Sequence, residues 1–316
     1  MRHINPRAMS RNFKEYAALV IRGVMMGAAD VIPGVSGGTI AFITGIYEEL
    51  IASIKGIHPR LITTLRKEGF GAMWREANAS FLVAVFGGIG IALFSLAHLI
   101  SYLLTHHATP LWSFFFGLIL ASTWVVGRKI GHWDVLRVVQ LVAGALFAGW
   151  IVTALPAQTP DAPWFIFLSG AVAISAMILP GISGSFILLL LSKYEYIIDA
   201  IKGFDAATLA LFGAGCVSGL AAFSRLLDWL FKRAHDATVA VLTGFMAGSL
   251  LKIWPFKVVL ETRINSHGEV VPVVERPVWP DLSQDSGVLL GALGLAAIGL
   301  AIILILDRWN PEKHEN

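Results

Sequence analysis

One cysteine, Cys216, is all that the 316 residues contain, so neither an internal disulfide nor a cysteine metal cluster can hold the chain together. Charge is just as sparse. Only 14% of residues are Asp, Glu, Lys or Arg against 56% hydrophobic, and the mean hydropathy is +0.72; such a composition cannot cover a water-facing surface, which excludes a soluble domain. The formal net charge of +3 is small, and the basic residues sit in short loops, which argues against nucleic-acid binding. Arg2, Arg7, Arg11 and Lys14 precede the first apolar run, but that run has no convincing cleavage site and reads as an uncleaved first helix. What is left is an all-α polytopic membrane protein.

Glycine and proline are placed with more purpose. Pro33-Gly34-Val35-Ser36-Gly37-Gly38-Thr39 interrupts two apolar runs and returns as Pro180-Gly181-Ile182-Ser183-Gly184-Ser185-Phe186, 147 positions later. At the same offset Tyr47-Glu48 answers Tyr194-Glu195, and Ile54-Lys55-Gly56 answers Ile201-Lys202-Gly203. The chain is therefore two copies of one module. Proline ends one helix, glycine lets the next begin, and Ser36 and Ser183 are natural N-caps. A helix starting inside a bilayer aims about half a positive charge and its first N–H groups into the interior, where an anion is the natural partner. Ser36, Gly37, Gly38, Thr39, Ser183, Gly184 and Ser185 are accordingly the candidate anion-binding residues. Helices merely kinked and packed through glycine are the competing reading, but paired interruptions in corresponding halves favour a transport site.

The first copy offers apolar segments at 16–32, 36–54, 80–104, 110–127 and 135–155, and the second at 164–179, 183–201, 208–231, 238–254 and 287–306. Each is near the roughly 20 residues that cross a bilayer. The first two segments of a copy either both span or form a re-entrant pair. In both cases three further helices make the number of crossings odd, so the two copies face opposite ways as inverted repeats. The expected order is a cytoplasmic tail at 1–15, a first repeat at 16–155, an external linker at 156–163, a second repeat at 164–306 and a cytoplasmic tail at 307–316. Basic residues agree, since 1–14 and the 55–78 loop are rich in Lys and Arg while the loop at 255–286 holds five acids against three bases. Two inserts break the symmetry. Residues 57–76 suit a basic helix lying on the cytoplasmic face, or an ordinary loop helix, and 257–276 suits a β-hairpin turning at Asn265-Ser266-His267-Gly268.

Ionisable groups within spans usually face a cavity or a partner. Asp30 precedes the first break and is a candidate proton or cation carrier, or else a polar lock; the second copy has Met177 there. Glu48 and Glu195 are candidates for the same coupling, although each is followed seven residues later by a lysine that suits a charge pair. Arg225 either pairs with Asp228 or meets a phosphate. Arg22 and Lys252 suit snorkelling at helix ends. No metal site or cofactor is expected. Two other function classes stay open: a lipid diphosphate phosphatase, although no histidine lies near either break, and a passive anion channel using the same dipoles.

Gly27-Ala28-Ala29-Asp30-Val31-Ile32-Pro33-Gly34-Val35-Ser36-Gly37-Gly38-Thr39, Tyr47-Glu48 and Leu179-Pro180-Gly181-Ile182-Ser183-Gly184-Ser185 together resemble the family long filed as domain of unknown function 368 and regarded as polyprenyl-phosphate transporters. The resemblance covers nearly the whole chain. It implies a plasma-membrane translocase, not an enzyme, that returns undecaprenyl phosphate from the outer to the cytoplasmic leaflet. Its partners would then be the polyprenyl-phosphate lipid, membrane lipids and a coupling proton or other cation.

Overall fold

Several helix starts in this chain are marked by side chains that accept a bond from their own first turn. Asn12 accepts from the Glu15 N–H while the Glu15 carboxylate accepts from the Asn12 N–H at 3.0 Å, Asp134 accepts from Arg137 at 2.7 Å, and Asp205 accepts from Thr208 at 3.1 Å. The computed structural model describes residues 11–32, 35–264, 270–280 and 286–308. Pro33, Gly34, the expected turn at 265–268 and most of both tails lie outside them.

In the first copy the order is α1 (Phe13–Asp30), α2 (Gly37–Ile43), α3 (Tyr47–Gly56), α4 (Arg60–Glu68), α5 (Phe70–Glu76), α6 (Ala79–His106), α7 (Ala108–Gly127) and α8 (Val135–Thr153). The second copy gives α9 (Pro163–Ile178), α10 (Gly184–Leu190), α11 (Tyr194–Lys202), α12 (Ala206–Arg233), α13 (His235–Ser249), the strands β1 (Lys257–Ile264) and β2 (Val270–Pro277), and α14 (Ser286–Arg308). Five of the described helices are long and apolar enough to cross a membrane: α6, α7, α8, α12 and α14. The expected segment at 238–254 supplies only the 15-residue α13. The segments expected at 36–54 and 183–201 each prove to be two short helices. The reason is local, because Gly45 at φ +77° and Ser192 at φ +51° turn the backbone through the left-handed region. The antiparallel hairpin of β1 and β2 falls where the sequence placed it.

Long helices pack in four pairs: α1 with α6, α9 with α12, α7 with α14, and α8 with α13. The first two pairs stay within a copy, and the last two exchange equivalent helices between copies. Each contact runs backbone to backbone over small residues. A Cβ built on Gly23 would lie 2.2 Å from the Val85 carbonyl and one on Gly27 2.7 Å from that of Ile89, so α1 and α6 run in the same direction. Gly215 against Phe167 and Gly219 against Ala171 make α9 and α12 parallel, and Gly244 against Leu141 with Gly248 against Ala145 do the same for α13 and α8. Gly117 meets Ala296, and Arg128, just past the end of α7, reaches Asp307 in the last turn of α14 at 3.8 Å, so α7 and α14 are parallel too.

The short helices take opposite ends of α12. On α3, Lys55 pairs with Asp228, and Glu48 is 3.1 Å from His235, both at the C-terminal end of α12. Arg11 grips Glu49 with two bonds of 2.8 and 2.6 Å, and the Asn78 amide donates to the same carboxylate at 2.9 Å, which ties α3 to the starts of α1 and α6. By contrast α11 runs into the N-terminal end of α12 through Gly203 and Asp205. It lies beside the 156–162 linker, where buried Lys193 donates to the Thr159 carbonyl at 2.9 Å and to Asp161 at 2.5 Å.

Candidate functional site

The two breaks meet. The Ser36 hydroxyl lies 3.2 Å from the carbonyls of both Met177 and Leu179, the Thr39 hydroxyl accepts the Gly181 N–H at 2.9 Å, and Tyr47 donates to the Ile178 carbonyl at 3.1 Å. These bonds join residues 131 to 143 positions apart in the chain. Ser36, Thr39, Tyr47 and Ser183 are all buried. The break carbonyls of the second copy, left over where α9 ends, are thus taken by side chains of the first.

At the first break the helix start is closed from within, which corrects the expectation of uncovered donors. Asp30 accepts the Gly37 N–H at 2.7 Å, the Ser36 hydroxyl accepts the Gly38 N–H at 3.1 Å, and the Ser36 carbonyl accepts from Thr39 at 2.9 Å. An N–H without a partner in so buried a place costs several kcal/mol at most and about 1–3 at least, so the chain supplies its own acceptors. Glycine at 37 is what lets the carboxylate approach, since a Cβ there would lie 2.5 Å from Asp30 Oδ2.

The second break is built differently. Ser183 makes no side-chain cap bond to α10, its hydroxyl pairing at 2.8 Å with that of Ser185. Met177 stands where Asp30 would be and is 39% exposed, and Ser185 is exposed beside it. Gly184 is packed against α9, where a Cβ would meet the Ala173 carbonyl at 2.6 Å. One half-helix start therefore carries a resident carboxylate, and the other a pair of hydroxyls, Ser183 buried and Ser185 exposed.

Other residues singled out from sequence are not brought to this junction. Glu48 pairs with His235 instead of Lys55, because Lys55 is turned toward α12. Glu195 is exposed on α11. Arg225 does not pair with Asp228. It lies on the exposed side of α12 and donates to the Ala221 carbonyl at 2.5 Å, whereas Asp228 faces α3 and takes Lys55 and Lys232. Tyr47, not among the candidate anion-binding residues, joins the junction through its bond to Ile178, and its recurrence as Tyr194 at the repeat offset is its signal in the sequence. Lys252, read as a snorkelling residue, is tucked with Lys257 against Glu275 at 3.3 Å each. No group of three or more His, Cys, Asp or Glu able to hold a metal occurs among the described residues.

The sequence profile of the VCA0040-like family, described as undecaprenyl phosphate translocase-like, matches residues 26–271. The chain belongs to this family. Its match takes in both breaks and β1, and ends at the start of β2. Among curated relatives, a polyprenyl-phosphate transporter of Vibrio cholerae is 45% identical over 305 residues, covering 95% of this chain and 99% of the relative. A polyprenyl-phosphate transporter of Staphylococcus aureus is 32% identical over 198 residues, 56% of this chain and 69% of that one. No solved structure matches.

Proposed function

We propose that this protein is a translocase that returns undecaprenyl phosphate from the outer to the cytoplasmic leaflet of the plasma membrane. The relatives' names supply the substrate class. The observation that carries the mechanism is the direct hydrogen bonding of the two breaks, Ser36 to the Met177 and Leu179 carbonyls and Thr39 to Gly181. In this reading the two copies lie in opposite orientations. Each sends a hairpin, α1 with α2 and α9 with α10, into the bilayer from its own side until the tips touch. The parallel pairing within and between copies and the placement of α3 and α11 at opposite ends of α12 support it. Both termini are then cytoplasmic and the β1–β2 hairpin external.

The phosphate head is taken at the break junction by Ser183, Gly184, Ser185 and, once Asp30 has moved aside, by Ser36, Gly37, Gly38 and Thr39, while the prenyl chain stays in lipid. A phosphomonoester carries about −1.5 to −2 charges at neutral pH. Moving it inward against a negative-inside potential costs about 2.3 kcal/mol per charge per 100 mV. Co-moving protons remove that opposition. Asp30 is the natural carrier, because the carboxylate occupies as an anion the very N–H that a phosphate would take, and protonation frees it. Glu48 and Glu195 lie at the two mouths, where they would exchange protons with water, and Arg225 would meet the head at the surface.

Reconstitution tests this reading. Proteoliposomes given a polyprenyl phosphate in one leaflet will transfer it, and Ser36→Ala combined with Ser183→Ala will slow transfer about tenfold or more while membrane insertion stays normal, since the pair removes the Ser36 cap, worth about 0.5–2 kcal/mol, and the Ser183 hydroxyl that bonds Ser185. Transfer unchanged by the double substitution removes the breaks from the mechanism.

A further inference from the structure

Away from the break junction, a cavity of about 240 Å³ opens between the end of α8, α10, the turn after α13 and the β1–β2 hairpin. Its walls are mostly apolar, from Thr153 and Leu155 to Phe186 and Leu190, but Lys252, Lys257 and Arg276 line it against a single acid, Glu275, among the described residues. Two ammonium groups share one carboxylate oxygen there, each 3.3 Å from Glu275 Oε2. Their side chains are only 14% and 6% exposed. Lys257 rests 3.8 Å from the centroid of the Trp112 ring and Lys252 5.0 Å from that of Phe186.

Burying two cations on one anion is unfavourable by several kcal/mol unless more negative charge arrives. Burial, opposed by Glu275 and reinforced by the neighbouring Lys252, pushes the Lys257 ammonium down to about 8. A second anion beside the pair would relieve that strain. Around this basic centre the rim is apolar and open, with Leu155 at 70%, Leu251 at 48% and Leu260 at 59% exposure. A basic centre with a greasy rim fits an amphiphile whose charged end is a phosphate and whose tail is hydrocarbon. Free phosphate would use the centre but gain nothing from the rim. The wall residue Phe186 follows Ser185 directly on α10, so an anion held under Lys252 sits next to the second break.

We infer that the cavity lined by Lys252, Lys257 and Arg276 is a docking site for the phosphomonoester head of a prenyl-type lipid, from which the head passes to the Ser183-Gly184-Ser185 break. This rests on the transport reading above for its lipid, and on the cavity alone for its phosphate. Each copy carries a related contact, for Lys129 after α7 stands 5.9 Å from the Phe42 ring on α2 as Lys252 after α13 stands over Phe186 on α10. On the hairpin side β1 adds a second lysine, Lys257, to the wall of the cavity.

Binding to the purified full-length protein in nanodiscs, followed by quenching of tryptophan fluorescence, tests the site with farnesyl phosphate, farnesol and inorganic phosphate as probes. Farnesyl phosphate will bind at least about tenfold more tightly than the other two, a charge-assisted contact to each lysine being the difference. Lys252→Gln with Lys257→Gln will weaken it about tenfold or more, and Lys252→Arg with Lys257→Arg will restore it. Unchanged thermal unfolding of the Gln pair shows that the loss is not misfolding; if that pair is unfolded, the Arg pair against single Lys257→Gln makes the same comparison. Equal binding of farnesyl phosphate to native protein and Gln pair overturns the site, and equal binding of inorganic phosphate overturns its assignment to a lipid. If native protein binds farnesyl phosphate through these lysines but moves no polyprenyl phosphate in proteoliposomes, the transport reading fails and the docking site stands.

Discussion

Asp30 is the residue on which the two halves of this protein differ most sharply. Its carboxylate accepts the Gly37 N–H at 2.7 Å in the first copy, where the second copy has the apolar Met177. Asp30→Asn keeps an oxygen for that bond while removing the charge, so the helix start stays capped. Transport by the variant is expected to persist but to lose its response to a pH gradient, a difference read by running proteoliposomes with and without acid outside. A native protein indifferent to the gradient would exclude proton coupling altogether. Sequence reading found Asp30, Ser36 and Thr39 because caps and breaks are written in neighbouring residues. It could not see that Thr39 accepts from Gly181 or that Lys257 meets Glu275 and Trp112, since those partners are chosen by packing.

At the scale of elements, the half-helices α2 and α10 have seven residues each, about 10 Å of helix. Such pieces are not stable alone; α2 holds because it is buried along its whole length and capped by Asp30 and Ser36. The longer helices depend on close glycine contacts, which gives a paired prediction on α12. Gly215→Leu places a Cβ 2.0 Å from the Phe167 carbonyl, where backbone must yield. We expect a loss of about 1–3 kcal/mol or more of stability. Gly213→Ala, with nothing within 4 Å of its Cβ, will gain up to about 1 kcal/mol from helix propensity. Thermal unfolding in detergent followed by size-exclusion chromatography reads both, and equal melting of the two variants would mean that α9 and α12 do not pack as described. Apolar length and breaks were legible for these elements. The division of 36–54 and 183–201 into two helices each was not, because a serine such as Ser192 gives little local warning of a positive φ.

For the whole molecule, the exchange of partners between copies matters most, α7 lying along α14 and α8 along α13. Two copies joined this way cannot separate without exposing glycine-lined backbone. The proposed opposite orientation places α4 and the 156–162 linker on opposite sides of the membrane. With Cys216 replaced by alanine, Gln158→Cys will react with a membrane-impermeant maleimide on intact cells, whereas Thr63→Cys will react only after permeabilisation; both positions are exposed. Labelling of both on intact cells would rule the inverted arrangement out. Exposed Ile62, Leu65 and Phe70 on α4 and α5 are consistent with the basic insert lying against headgroups.

Sequence by itself determined the solvent this chain lives in, its duplication and the positions of its breaks, because composition and helix-ending signals act through residues adjacent in the chain. Only the tertiary structure decided what closes each break and where spare positive charge gathers. Ser36 finds its acceptors 141 and 143 residues away, and the two lysines are brought onto one carboxylate by a hairpin folding back over α10. A bond of that kind forms when burial leaves a polar group no water to turn to, and which group then stands nearest is a property of the packed molecule.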